Sequence, residues 1–385
     1  MRKILIITGN YGEGHKQAAN ALYKVIQLRQ LNYEPIIIDF MEVTHPLLNP
    51  ISHYIFINGI KMFPSIYGFF YRKTRAANSM SEILNKINNL GVSRLLKTIK
   101  EVEPSVIVST FPLAAGAVSR LKEHGYIDVP TVTVITDHTY HSSWIHDNTD
   151  RYIISSEYVK EDLQSLGVPK EKIAVTGIPI RPEFCHNLSV DPLRTKHGIN
   201  PSIPVVLIMG GGVGIIGDGS TTIRALENLP KKVQIIVVCG YNDKLKKQLS
   251  RELSNSKHEV ILLGHVDYIH ELMAISDMLI TKPGGLTTSE AVASELPMLL
   301  FKPLPGQEQD NAKLLTDLGV AFQAKNTKEM IEVLSFSLFT PEILNKMRGN
   351  AKKIHRKWAA FEALDVIDEV QNATSSHGTP MEMNS

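Results

Sequence analysis

The chain has 385 residues, more than one ordinary core holds at about 150 residues per domain, so two or three domains are expected. Hydrophobic residues make up 43% and charged residues 21%, a globular balance, and a net charge of +2 gives no polyelectrolyte character that would point to nucleic acid. The cysteines, Cys185 and Cys239, are far apart, and no CxxC or His/Cys cluster occurs, so neither a disulfide framework nor a zinc site is expected.

From the N-terminus, a charged pair is followed by a short apolar run. That run is too short for a secretory signal and reads as a buried first strand. No apolar run approaches the length of a transmembrane helix, so the expected compartment is the cytoplasm. Strands are predicted over 3–8, 35–40, 105–110, 131–136, 151–155 and 172–176, then over 204–209, 233–239, 258–263, 277–281 and 297–301. Helices are predicted over 15–30, 82–101, 158–166, 243–253, 285–294 and 309–318. Continuous β-branched runs imply parallel sheets covered on both faces, and their alternation with helices implies doubly wound α/β units. The pattern restarts near residue 200. The segment Gly177-Ile-Pro-Ile-Arg-Pro-Glu-Phe184 reads as a stiff connector. The expected domains are therefore 1–182 and 183–364, with a last helix able to cross back to the first. The segment 372–385 is rich in small and polar residues and is expected to be disordered.

Ligands of such sheets bind at the carboxyl ends of the strands, so the loops there carry the chemistry. The first strand runs into Gly9-Asn-Tyr-Gly-Glu-Gly-His15, where Gly12 and Gly14 leave room for a substrate and His15 opens a helix. An imidazole titrating near 6.5 suits a general base; a helix-start or packing histidine is the plainer alternative. Asp137, at the end of another strand, could orient His15 or hold an acceptor. The stretch 46–71 is apolar, carries Lys61 as its one charge and is broken by prolines. A basic stretch, 61–100, overlaps it. Together they resemble an interfacial contact with an anionic membrane, or equally a buried helix pair with a solvated basic face.

The second half holds the strongest signal. A strand ends at Thr281, Lys282-Pro283-Gly284-Gly285 makes a tight turn, and Leu286-Thr287-Thr288 opens a helix. Unbonded N–H groups and the positive helix end suit a diphosphate there, and the Thr287 and Thr288 hydroxyls could add donors. Glu290, one turn in, could accept from ribose hydroxyls. A glycine loop around Gly211 and Gly212 follows the 204–209 strand and permits close backbone approach. It lacks the GxGxxG pattern of a nicotinamide site. Gln307, Glu308 and Asn311 follow the next strand and could read sugar hydroxyls. The loop Gly264-His265-Val266 could meet a base through its backbone. No DxD-type pair ends a strand, so no metal is expected.

Taken in order, Asn10–Ala19, Thr110-Phe-Pro112, Thr136-Asp137, Trp144, Gly177–Pro182, Thr281–Gly285, Glu290-Ala291 and Pro305–Glu308 with Asn311 resemble glycosyltransferase family 28. The likeness is to its diacylglycerol β-glucosyltransferases and monogalactosyldiacylglycerol synthases, over residues 1 to about 364. It implies a GT-B fold, two Rossmann-like domains with parallel sheets facing a cleft. It implies a UDP-sugar donor and no resident cofactor. Uracil would lie near His265 and Val266, diphosphate on Gly284, Gly285, Leu286, Thr287, Thr288 and the Gly211–Gly212 loop, ribose at Glu290, and hexose at Gln307 and Glu308. His15 would be the base with Asp137 beside it, and lipid acceptor would enter along 46–75. The implied protein is peripheral on the inner face of the cell membrane. A soluble-acceptor transferase, a UDP-sugar epimerase and a non-catalytic UDP-sugar sensor are the alternatives.

Overall fold

The computed structural model describes residues 1–10, 13–30, 32–46, 68, 71, 73–75, 91–210 and 216–375. The chain forms two compact units, Met1–Pro182 with Trp358–Ser385, and Glu183–Lys357. The first unit carries β1 (Arg2–Thr8), β2 (Tyr33–Asp39), β3 (Val106–Ser109), β4 (Thr131–Val134), β5 (Arg151–Ile154) and β6 (Ile173–Val175). They pair in the order β2-β1-β3-β4-β5-β6, all parallel.

The apolar run of β1 explains this sheet's position. Ile4, Leu5, Ile6 and Ile7 are all fully buried, because both faces are covered. Ile4 and Ile6 pack with Leu22, Val25 and Ile26 of the helix Glu13–Leu28 and with Ala363, Leu364 and Ile367 of the helix Ala359–Ser375. Leu5 and Ile7 meet Leu95 and Ile99 of the helix Val92–Val102 and Ala114 and Val118 of the helix Pro112–Glu123. Truncating a side chain such as Leu22 to alanine costs roughly 2–5 kcal/mol in such a core.

The second unit carries β7 (Val205–Met209), β8 (Gln234–Val238), β9 (Glu259–Leu263), β10 (Met278–Thr281), β11 (Met298–Phe301) and β12 (Ala321–Ala324). Their order is β12-β11-β10-β7-β8-β9, again parallel. The chain winds outward from β7 through β8 to β9, returns to β7's other side with β10, and winds outward again. This is the sheet order of dinucleotide-binding folds. Val206, Ile208, Ile235, Val237, Ile280 and Phe301 form the core on one face. Both ends of this unit are fastened together: Cys185 Sγ donates to the Lys357 carbonyl at 2.9 Å, and Lys357 Nζ lies 3.6 Å from Glu295 Oε1.

Some expectations are corrected. Phe40 does not close β2; it starts the helix Phe40–Thr44, because Asp39 Oδ1 accepts the Glu42 N–H at 2.9 Å and caps that turn. Of the tail 372–385 expected to be disordered, 372–375 belong to the last helix. The last helix runs to Ser375, with Gln371 buried and Asn372 Oδ1 accepting from Arg2 Nη1 at 2.7 Å. Residues 376–385 lie outside the described residues, as do 82–90 of the predicted 82–101 helix and most of the stretch 46–71. Among the described residues no helix is long and apolar enough to cross a membrane.

Candidate active site

In the second unit β7 and β10 are hydrogen-bonded neighbours, with Val206 opposite Met278 and Met209 opposite Thr281. Winding reverses between them, so the loops leaving their carboxyl ends diverge and open a crevice. The Thr281 hydroxyl donates to the Met209 carbonyl at 2.9 Å and ties the two strand ends. Gly284 then caps the helix Gly285–Ala293 with φ −75° and ψ 137°, angles open to any residue. A Cβ at Gly284 would meet no atom within 4 Å. The fold therefore does not demand glycine here, and the missing side chain leaves the backbone open to close approach. The first-turn N–H groups of Gly285, Leu286 and Thr287 have no partner within the helix and carry its positive end.

Thr288 behaves differently from the sequence expectation. It is fully buried, and its hydroxyl donates to the Gly284 carbonyl at 2.7 Å and the Gly285 carbonyl at 3.1 Å. That hydroxyl stabilises the turn from within, whereas Thr287 is half-buried at the surface. Glu290, one turn along, is 4% exposed. Asn311, expected from the sequence to read sugar hydroxyls, also acts as a strut. It is fully buried in the helix Gln307–Asp317, and its Nδ2 donates to the Pro283 carbonyl at 3.0 Å, joining the turns after β10 and β11. Gln307 is half-buried at the start of that helix. Glu308 accepts the Leu304 N–H at 2.8 Å. Burial pushes its carboxyl pKa up, against the opposing pull of that N–H and the nearby Lys282 ammonium.

At the far side of the same edge, His265 is exposed and Val266 half-buried in the loop after β9. Lys302, just past β11, holds a left-handed φ of 47° and pairs with Asp218 at 2.6 Å. Gly211 and Gly212 lie outside the described residues, as does Gly12.

In the first unit winding reverses between β1 and β3. Gly14 and His15 lie in the first turn of the helix that follows β1. Thr110, following β3, donates its N–H to the Ile7 carbonyl at 3.0 Å and its hydroxyl to the His15 carbonyl at 3.1 Å. Thr136, following β4, places Oγ1 2.8 Å from His15 Nδ1. The rings of Phe111 and Trp144 stand edge-on to the imidazole at 5.4 and 5.8 Å. Gly9 makes room for this wall, since a Cβ there would lie 2.6 Å from the Phe111 ring. His15 keeps some solvent contact as a residue, but its ring lies deep in this cage. Burial pulls the imidazole pKa down from 6.5 to about 4, partly offset by a main-chain hydrogen bond at Thr110. His15 is thus neutral at physiological pH. Asp137, next to Thr136, is buried.

Phe111, Thr136 and Trp144 form the cage of His15, a grouping that no sequence motif marks. Phe111 and Thr136 carry a local signal, since they stand at the ends of predicted strands, whereas Trp144 lies in the loop beyond β4. Among the described residues no group of three or more His, Cys, Asp or Glu side chains could hold a metal ion.

Comparison with known proteins places the chain in a family. Residues 15–180 match the monogalactosyldiacylglycerol (MGDG) synthase family model, and residues 205–368 match the glycosyltransferase family 28 C-terminal domain. The chain belongs to glycosyltransferase family 28. A processive diacylglycerol β-glucosyltransferase of Bacillus subtilis (strain 168) is 34% identical over 383 residues, covering 97% of each chain. Among solved structures, Acinetobacter baumannii MurG aligns with a TM-score of 0.63 at 16% identity, over 96% of this chain and 100% of its own. The UDP-GlcNAc 2-epimerase from Neisseria meningitidis, bound to UDP-GlcNAc, aligns with a TM-score of 0.61 at 16% identity, over 95% and 100%. At that identity the two structures speak to the fold alone. The two six-stranded parallel sheets with flanking helices are those of the GT-B class.

Proposed function

We propose that this family 28 enzyme transfers a hexose, glucose in the first instance, from a UDP-sugar to diacylglycerol or a glycosyl-diacylglycerol. The observation that carries the reading is the relationship at 34% identity over 97% of both chains to a processive diacylglycerol β-glucosyltransferase. The donor diphosphate is assigned to the N–H groups of Gly285, Leu286 and Thr287, where Gly284 leaves the helix end open. His265 and Val266 are assigned to the base, Glu290 to ribose, and Gln307 and Glu308 to the hexose. The acceptor is assigned to the first unit, entering along 46–75. The basic stretch 61–100 would face anionic lipid at the inner surface of the cell membrane.

The chemistry is a single inverting displacement. Neutral His15 takes the proton of an acceptor hydroxyl, and Thr136 and Asp137 orient the base and the acceptor. The oxygen bonds to the anomeric carbon as that carbon's bond to the diphosphate breaks. UDP leaves with the electron pair, and the helix N-terminus meets the growing charge. This positive end takes the part a cation plays elsewhere, so no metal is required.

An epimerase shares this fold but needs no acceptor. Incubation with labelled UDP-hexoses and diacylglycerol vesicles separates the two. Labelled glycolipid is expected; an epimerised UDP-sugar without labelled lipid would overturn the assignment.

A further inference from the structure

The loops leaving β8 and β9 lie against each other. The Cys239 N–H donates to the Leu263 carbonyl at 2.9 Å, and a Cβ on Gly264 would stand 3.7 Å from the Gly240 carbonyl. Over this contact Tyr241 stacks on His265, with ring centroids 4.4 Å apart and planes inclined by 15°. Tyr241 is 72% exposed and His265 is exposed too, so the pair is not core packing. Its backbone is nevertheless fixed. The Asn242 N–H donates to the Cys239 carbonyl at 3.1 Å, and Asn242 Oδ1 accepts the Leu245 N–H at 2.9 Å to cap the helix Asp243–Glu252. A rigid turn therefore presents a large aromatic ring to water at the carboxyl edge of the sheet that holds the Gly284 turn. A ring held there is placed to act on a ligand at that edge.

We propose that Tyr241 is a positioning residue. Its ring holds His265, and with it the loop Gly264–Val266, in place to receive the pyrimidine base of a nucleoside diphosphate. It sets donor affinity without touching the reacting atoms. This rests on the assignment of the donor seat to the second unit.

Calorimetry on the full chain with two probes, UDP and inorganic pyrophosphate, tests it. Tyr241→Ala is expected to raise the Kd for UDP about fivefold, the effect of losing one aromatic stack. Pyrophosphate binding should be unchanged, because it reaches only the helix N-terminus. Tyr241→Phe should restore UDP binding. In turnover, Tyr241→Ala should raise KM for the UDP-sugar by the same factor and leave kcat in place. Unchanged UDP binding by Tyr241→Ala would overturn the proposal and leave the donor seat standing. Equal loss of UDP and pyrophosphate would overturn it as well, since that marks general loosening. Absence of UDP binding by the wild-type chain would overturn the donor seat and this proposal with it.

Discussion

Burial of neutral His15 makes the first unit sensitive to acid in a calculable way. In the unfolded chain the imidazole takes a proton as pH falls through 6.5, whereas the folded chain refuses it until about 4. Between those values the unfolded state holds more protons, so stability falls as pH falls. At 1.36 kcal/mol per pH unit the loss is about 2 kcal/mol at pH 5 and up to about 3 kcal/mol at pH 4. Above 6.5 the contribution is fully retained. His15→Gln removes this dependence while keeping a polar side chain. His45, His141 and His146, also lowered by burial, remain in both proteins and cancel. Both tryptophans, Trp144 and Trp358, belong to the first unit, so urea unfolding followed by their fluorescence reports that unit. Between about pH 7 and about pH 5 the wild type should lose about 2 kcal/mol more than His15→Gln. Parallel losses in the two proteins would refute the buried neutral imidazole.

Gly284→Ala should leave urea stability within about 0.5 kcal/mol, since its Cβ meets no atom. At the proposed diphosphate seat the same methyl would block close approach, so kcat/KM for the UDP-sugar should fall about 100-fold, the scale of one lost preorganised contact; unimpaired turnover would move the seat elsewhere. Asn311→Ala removes the strut to Pro283, and urea midpoints should show a loss of about 1–3 kcal/mol together with a higher donor KM. EDTA should leave transfer unchanged, and loss of activity restored by added magnesium would contradict the role given to the helix N-terminus.

The sequence was most legible where a single physical cause dominated. Ile4–Ile7 form a continuous apolar run because both faces of β1 are covered, and that run marks a parallel strand by itself. β12 was missed because Ala321-Phe-Gln-Ala324 has no β-branched residue, and only its pairing with β11 makes it a strand. At the site, the Gly284 turn was visible because strand, turn and helix follow one another in the chain. The inward roles of Thr288 and Asn311 were not, because a hydroxyl or amide reads as a surface donor until its burial is known. The cage around His15 joins residues 15, 111, 136 and 144, which the order β2-β1-β3-β4 brings together and no local pattern announces. The burial-lowered pKa of His15 follows from that cage and is likewise beyond local reading.

The proposed mechanism divides the work: the second unit seats the UDP-sugar, and His15 of the first activates the acceptor. The most direct measurement pairs UDP calorimetry with labelled glucosyl transfer to diacylglycerol vesicles for wild type and His15→Ala. Equal UDP affinity is expected in the two proteins, with transfer lost by about 100-fold or more in the variant. Transfer at the wild-type rate by His15→Ala would contradict it.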